Sequence, residues 1–153
     1  MDTKEMRKLL LDMLPAWNYW VTRPFKQLLD QGISLEMYYC IQTLLYLNRP
    51  MTMSELGEYM RIPKQQMTKL INQLVERSFV ERQYDPGDRR IIKIVTTESA
   101  TEYIEHFLNE DASCFRELLD KLGDEDSKKF SLALQMVLDI FIKLRTDNGN
   151  AND

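Results

Sequence analysis

Residues 52–76 read TMSELGEYMRIPKQQMTKLINQLVE, and their punctuation decides the fold. Thr52-Met53-Ser54-Glu55 has the spacing of a capping box, in which hydroxyl and carboxylate satisfy each other's orphan amides at a helix start. A short helix then ends near Met60. Arg61-Ile62 leaves room only for a tight connection, and Pro63 stands where a first-turn proline is tolerated. In the helix that follows, Met67, Leu70, Ile71 and Leu74 form the buried stripe. At about 100° per residue the opposite side carries Gln65, Lys69 and Asn72, flanked by Thr68 and Gln73. No acidic residue occurs between Arg61 and Val75.

Downstream, the pattern changes to strand from Phe79, breaks at Asp85-Pro86-Gly87-Asp88, and returns as the β-branched run Ile91–Thr96. Two strands around a Pro-Gly turn read as a hairpin, with Arg89 and Arg90 at its tip. Thr97-Glu98 opens a long helix expected to reach about Leu122. A last helix, capped by Asp124, runs through Phe130, Leu134, Val137, Leu138, Phe141 and Leu144. The Asn/Asp/Gly tail, 146–153, is expected to be disordered. Upstream, one apolar stripe runs from Met6 to Leu29 and is interrupted by Pro15 and Pro24. Either the helix kinks at Pro15, or one helix ends near Leu14 and a second begins there. Gly32 closes that segment, and Ser34 is an N-cap for a helix from Leu35 to about Asn48. The fold class predicted is mainly α with a small β-hairpin, a winged helix-turn-helix over about 34–97.

Composition narrows the class. The chain has 153 residues, 44% apolar and 29% charged, with only five Gly and five Pro, which argues against disorder and turn-rich all-β folds. The longest uncharged run, Met37–Asn48, is 12 residues, short of the ~20 that span a bilayer. A soluble, cytoplasmic protein with no membrane partner is the expectation. Cys40 and Cys114 form no CxxC and His106 is the one histidine, so no metal site, His-based triad or cofactor is expected. The glycines are never clustered into a phosphate loop, and an enzyme is not expected.

The net charge of −4 hides segregation along the chain. Residues 61–93 hold eight Lys/Arg against four Asp/Glu, whereas 97–127 hold ten acidic against two basic residues. A positive field on one surface and repulsion from another suits a polyanion partner. The side chains at the exposed helix face suit major-groove readout: Gln pairs bidentately with adenine, Lys donates to guanine, and Thr bonds or contacts a thymine methyl. The candidate base-reading set is Lys64, Gln65, Gln66, Thr68, Lys69 and Asn72. At the hairpin, Arg90 is expected to enter the minor groove, with Asp88 orienting it and Arg89 and Lys93 beside it. Thr52 and Ser54 are candidate contacts to the DNA backbone. A solvated polar face of the same composition is the competing reading.

These residues resemble the MarR family of bacterial transcription regulators. The resemblance rests on Leu56–Met60, Ile62–Leu70, Leu74–Arg82, Asp85–Arg90 and Thr97-Glu98, with Asp88 and Arg90 filling the family's Asp-x-Arg wing motif. It covers about residues 30–145 in element order and is specific in sequence from about 52 to 98. Thr96 stands where Leu is usual and Ala100 where Gly is usual. The resemblance implies one domain, 1–145, whose helices at about 4–31 and 98–145 assemble a homodimer on double-stranded DNA bearing an inverted repeat. Leu9, Leu10, Leu14, Phe130, Leu134, Val137 and Phe141 are the interface candidates, with an intrachain core as their alternative. It also implies a repressor released by a small aromatic ligand, for which Trp17, Trp20, Met37, Tyr38 and Tyr39 are the candidate pocket, with an ordinary core stripe at helical spacing as their alternative. An oxidant-sensing thiol is disfavoured, because Cys40 sits in an apolar run.

A winged-helix module that contacts protein rather than DNA is the rival function, distinguished by the absence of salt-dependent DNA affinity.

Overall fold

Met67, Leu70, Ile71 and Leu74 are all buried, as their helical spacing predicts, and they centre a core that also takes in Met37, Cys40, Ile41, Leu44, Leu56, Val80 and Ile94. Each such side chain contributes roughly 1.5–3 kcal/mol by leaving water. The computed structural model describes residues 2–109 and 113–149. Element order is α1 (Thr3–Trp17), a π-helical stretch (Asn18–Thr22), α2 (Arg23–Leu28), α3 (Leu35–Leu47), β1 (Met51–Thr52), α4 (Met53–Met60), α5 (Lys64–Glu76), β2 (Val80–Tyr84), β3 (Ile92–Thr96), α6 (Glu98–Asn109) and α7 (Ser113–Gly149). The chain divides into two units, residues 25–112 and residues 1–24 with 113–153.

The 25–112 unit is the winged helix. Ser34 caps α3 by accepting from the Met37 amide at 3.1 Å, and Asn48 ends it in the left-handed conformation. Gly57 lies in α4 where a Cβ would stand 3.1 Å from the Ile62 carbonyl oxygen. The Ile62 N–H in turn donates to the Gly57 carbonyl at 2.9 Å, so the turn between α4 and α5 closes directly over that glycine. Pro63 is the residue just before α5 rather than inside its first turn.

The hairpin registers Tyr84 against Ile92 and Val80 against Thr96. A third strand departs from the sequence reading: β1 pairs Met51 with Ile94 and Thr52 with Lys93, giving the order β1-β3-β2. The capping box at Thr52 is half formed. Thr52 Oγ1 accepts from the Glu55 amide at 3.2 Å, but the Glu55 carboxylate takes the Thr52 hydroxyl and Arg49 instead of the Thr52 amide.

Thr97 ties the wing to α6: its amide donates to the Phe79 carbonyl at 3.1 Å and its hydroxyl to the Ser78 carbonyl. Ala100 and Ile104 of α6 join the core, so this helix packs with the winged helix, while the sequence reading grouped it with the dimerisation helices. The single helix expected over 98–122 is described as α6 and the start of α7, and residues 110–112 between them lie outside the described residues.

In the other unit, α1 passes through Pro15 to Trp17 and the π-helical stretch follows. The Asn18 amide bonds the Leu14 and Pro15 carbonyls. α7 is broken at Gly123 (φ 67°), next to the predicted cap Asp124. It continues to Gly149, past Thr146 where a tail is predicted; Thr, Asp and Asn are weak helix formers but do not forbid propagation of a helix already made. Residues 150–153 lie outside the described residues. Neither α1 nor α7 has a buried residue among those described. No described helix is long and apolar enough to cross a membrane.

Candidate nucleic-acid interface

With its stripe in the core, α5 turns Lys64, Gln65, Lys69, Asn72 and Gln73 to solvent. Thr68 is half-buried and its hydroxyl donates to the Lys64 carbonyl at 3.0 Å, which satisfies it within the helix. Two members of the predicted set have partners elsewhere in the fold. Gln66 lies on the flank facing α3, where Nε2 donates to Glu36 Oε1 at 2.7 Å. Asn72 Oδ1 accepts from the Arg82 guanidinium of β2. Gln65 and Lys69, by contrast, make no side-chain hydrogen bond among the described residues. The central exposed strip of α5 thus offers one amide, which both donates and accepts, and one ammonium.

The hairpin tip is ordered by its own acids. Asp85 Oδ1 accepts from the Gly87 and Asp88 amides at 2.7 and 3.1 Å, folding the Pro-Gly turn. Asp88 then receives Arg90 as a fork: Nε to Oδ1 at 3.0 Å and Nη2 to Oδ2 at 3.1 Å, with the Arg90 amide also on Oδ1. The bonds from Arg90 hold the Asp88 carboxyl below its ordinary range, and the guanidinium titrates correspondingly higher. Arg90 nevertheless stays 91% exposed, an oriented cation presented to solvent. Arg89 is exposed beside it, and Lys93 is half-buried in β3 opposite Thr52 and Gln83. Thr52, as N-cap, is half-buried and Ser54 is exposed at the positive end of α4.

Arg82 and Glu36 complete this surface and were not singled out from the sequence. Arg82 sits opposite Ile94 in the hairpin register, so its guanidinium reaches the side of α5. Knowing the register would have found it. Glu36 is 30 positions from its partner in sequence, and no local pattern announces such a contact.

The remaining candidates fall in both units. Leu9, Leu10, Leu14, Val137 and Phe141 are exposed, and Phe130 and Leu134 half-buried, in the unit holding α1 and α7. Trp17 is exposed there, and Trp20 stacks edge-on against Tyr19 with the Lys121 ammonium 5.4 Å from its ring. In the winged-helix unit, Met37 is in the core. Tyr38 packs against Phe25 and Phe107 at 4.6 and 6.1 Å between centroids, while Tyr39 is exposed. Burial pushes the Tyr38 hydroxyl pKa up, with Tyr39 adding to it. Cys40 is fully buried and its thiol is pushed up to about 12 by desolvation. Among the described residues no His/Cys/Asp/Glu group could hold a metal ion.

A family model described as the MarR family matches residues 40–91. A Bacillus subtilis protein described as an uncharacterized HTH-type transcriptional regulator, YwoH, is 31% identical over 101 residues, covering 65% of this chain and 69% of that protein. Among solved structures, a MarR-like transcriptional regulator from Thermotoga maritima aligns over 92% of this chain and 97% of its own, at 24% identity and a TM-score of 0.53. A cysteine-to-serine variant of MarR from E. coli, complexed with operator DNA, aligns over 90% and 99% at 18% identity and a TM-score of 0.61. These structural likenesses carry the fold.

Proposed function

The chain belongs to the MarR family, and from that membership we propose that it is a sequence-specific, DNA-binding transcriptional repressor acting as a homodimer in the cytoplasm. The observation that carries the reading is the pairing of two probes in one unit: the exposed Gln65 and Lys69 of α5, and the exposed Arg90 fixed by Asp88. An amide and an ammonium match base-edge patterns in the major groove. A pre-oriented arginine suits the negative potential of a narrow minor groove. Lys64 and Thr68 support the major-groove contact, Arg89 and Lys93 the wing, and Thr52 and Ser54 the phosphates.

The homodimer is supported by the unit of α1 and α7, which buries none of its described residues. Leu9, Leu10, Leu14, Val137 and Phe141 present apolar surface that a second copy would cover. Phe130 and Leu134 extend the same face. Two copies place two reading helices on half-sites about one helical turn apart. The relatives are described as transcriptional regulators.

A small aromatic effector enters through the family resemblance. Among its candidate residues Tyr39 is exposed, with its ring edge-on against Tyr38 at 6.2 Å, whereas Met37 lies in the core and Tyr38 packs against Phe25. Trp17 and Trp20 are the candidates of the other unit.

Selection from a randomised duplex pool at two salt concentrations tests the reading. Recovery of an inverted repeat with half-sites about 10 bp apart, and affinity falling as salt rises, is expected. Absence of enrichment together with negligible affinity at low salt would favour a winged helix that binds protein.

A further inference from the structure

Arg77 counts among the eight basic residues of 61–93, but its guanidinium does not join the cationic reading surface. It caps the C-terminal end of α5 and turns back onto the loop between α2 and α3, where Nη2 donates to the Gln31 carbonyl at 2.7 Å. The guanidinium lies across Gly32. A Cβ there would overlap Nη2 and stand 3.3 Å from Cζ, and the glycine has φ +84°, a left-handed conformation that side chains avoid. Gln66, eleven positions earlier and so on the same flank of α5, donates to Glu36 in the first turn of α3. The same short segment therefore holds both ends of the helix.

That segment is itself fixed. Ile33 is buried in the core and its amide donates to the Asp30 carbonyl at 3.0 Å, and Ser34 caps α3. On the other side of α5, Asn72 takes the Arg82 guanidinium from the wing. The buried stripe fixes the depth of α5 and opposes its rotation, and these polar ties on its two flanks add to that hold on its angle.

We infer that Arg77 and Gly32 are positioning residues, a clamp that with Glu36 and Gln66 sets the angle at which Gln65 and Lys69 meet DNA and thereby governs specificity. This rests on the DNA-binding reading above. Arg77 lies about 110° around the helix from the centre of the exposed strip, so it tunes the reading of bases without touching them.

Full-length Arg77→Gln and Gly32→Ala proteins test it. Gly32→Ala changes no charge and displaces the guanidinium, whereas Arg77→Gln removes the guanidinium and leaves the glycine. For both, affinity for the pool-selected duplex should fall about tenfold while affinity for a random duplex changes little, the scale of one lost base contact. The salt dependence should stay that of the wild type, and without DNA the amides at the C-terminal end of α5 should exchange faster. If instead Arg77→Gln weakens both duplexes equally and lowers the salt slope by about one, Arg77 is a phosphate contact and the clamp is wrong. Wild-type affinity and exchange in both variants overturn it as well. If the wild type selects no duplex, the DNA reading fails and the specificity role falls with it; the clamp is then decided by amide exchange alone, upheld by faster exchange in both variants and overturned by its absence.

Discussion

Arg90 meets Asp88 through two parallel bonds, Nε to Oδ1 at 3.0 Å and Nη2 to Oδ2 at 3.1 Å, while 91% of the arginine side chain stays in solvent. A fork of this kind fixes the plane and direction of the guanidinium, which a lone surface arginine lacks. Holding an exposed cation in one orientation removes part of the entropy cost of placing it in a groove.

Arg90→Ala is therefore expected to weaken DNA binding and leave the melting temperature nearly unchanged. Asp88→Asn should weaken binding less, because the cation survives and only its orientation is lost. Equal affinity for wild type and Arg90→Ala at moderate salt would remove the wing from the interface. The orienting pair also has a pH signature. Bonding from Arg90 lowers the Asp88 pKa, so the fork is intact above the ordinary aspartate value of 3.8 and is lost only as pH falls through the lower folded value.

Ser78→Gly should stabilise the protein. Ser78 follows the α5 cap with φ 61°, a left-handed conformation that costs a non-glycine residue roughly 1–2 kcal/mol. Thr97 bonds its backbone carbonyl, which glycine retains. Denaturant unfolding should show a gain of about 1 kcal/mol, partly offset by the freer unfolded chain; a loss would mean that the serine side chain holds something in place.

Much of this fold is legible because its elements carry local chemistry. The stripe Met67, Leu70, Ile71, Leu74, the caps Ser34 and Thr52, and the Pro-Gly turn each act within a few residues, and each lies where the sequence places it. β1 escaped because two residues, Met51 and Thr52, have no periodicity, and the capping motif dominates the same positions. In the candidate site, the exposed face of α5 follows from its angle to the stripe. Which members have other engagements does not, since Gln66–Glu36, Asn72–Arg82 and Arg77–Gln31 are tertiary contacts.

Acid should loosen the start of α4. Burial alone would raise the Glu55 pKa, but hydrogen bonds from Arg49 and Thr52 outweigh it and the pKa is lowered. The folded value is thus below the ordinary 4.5, and the contribution is present above that value and lost as pH falls through the folded one. Melting temperature followed from neutral pH downward should fall less steeply for Glu55→Gln than for wild type. Parallel curves would show that the carboxylate contributes nothing ionic.

Cys40 should resist thiol reagents in the native protein. It is fully buried with its thiol pushed up to about 12 from 9.0, so almost no thiolate exists at neutral pH. A raised pKa gives stability that is whole below about 9 and declines as pH rises toward 12. Mass spectrometry after alkylation should find Cys114, half-buried, modified first and Cys40 only on unfolding. Rapid native labelling of Cys40 would bring a thiol switch back into consideration.

Base reading by α5 is tested most directly by measuring Gln65→Ala and wild type against the selected duplex and every single-base variant of it. A loss of about 1–3 kcal/mol confined to one base position in each half-site is the expected result, because Gln65 would be reading that base. The same loss on every duplex would place Gln65 on phosphate, and no loss on any would contradict base reading through this face of the helix.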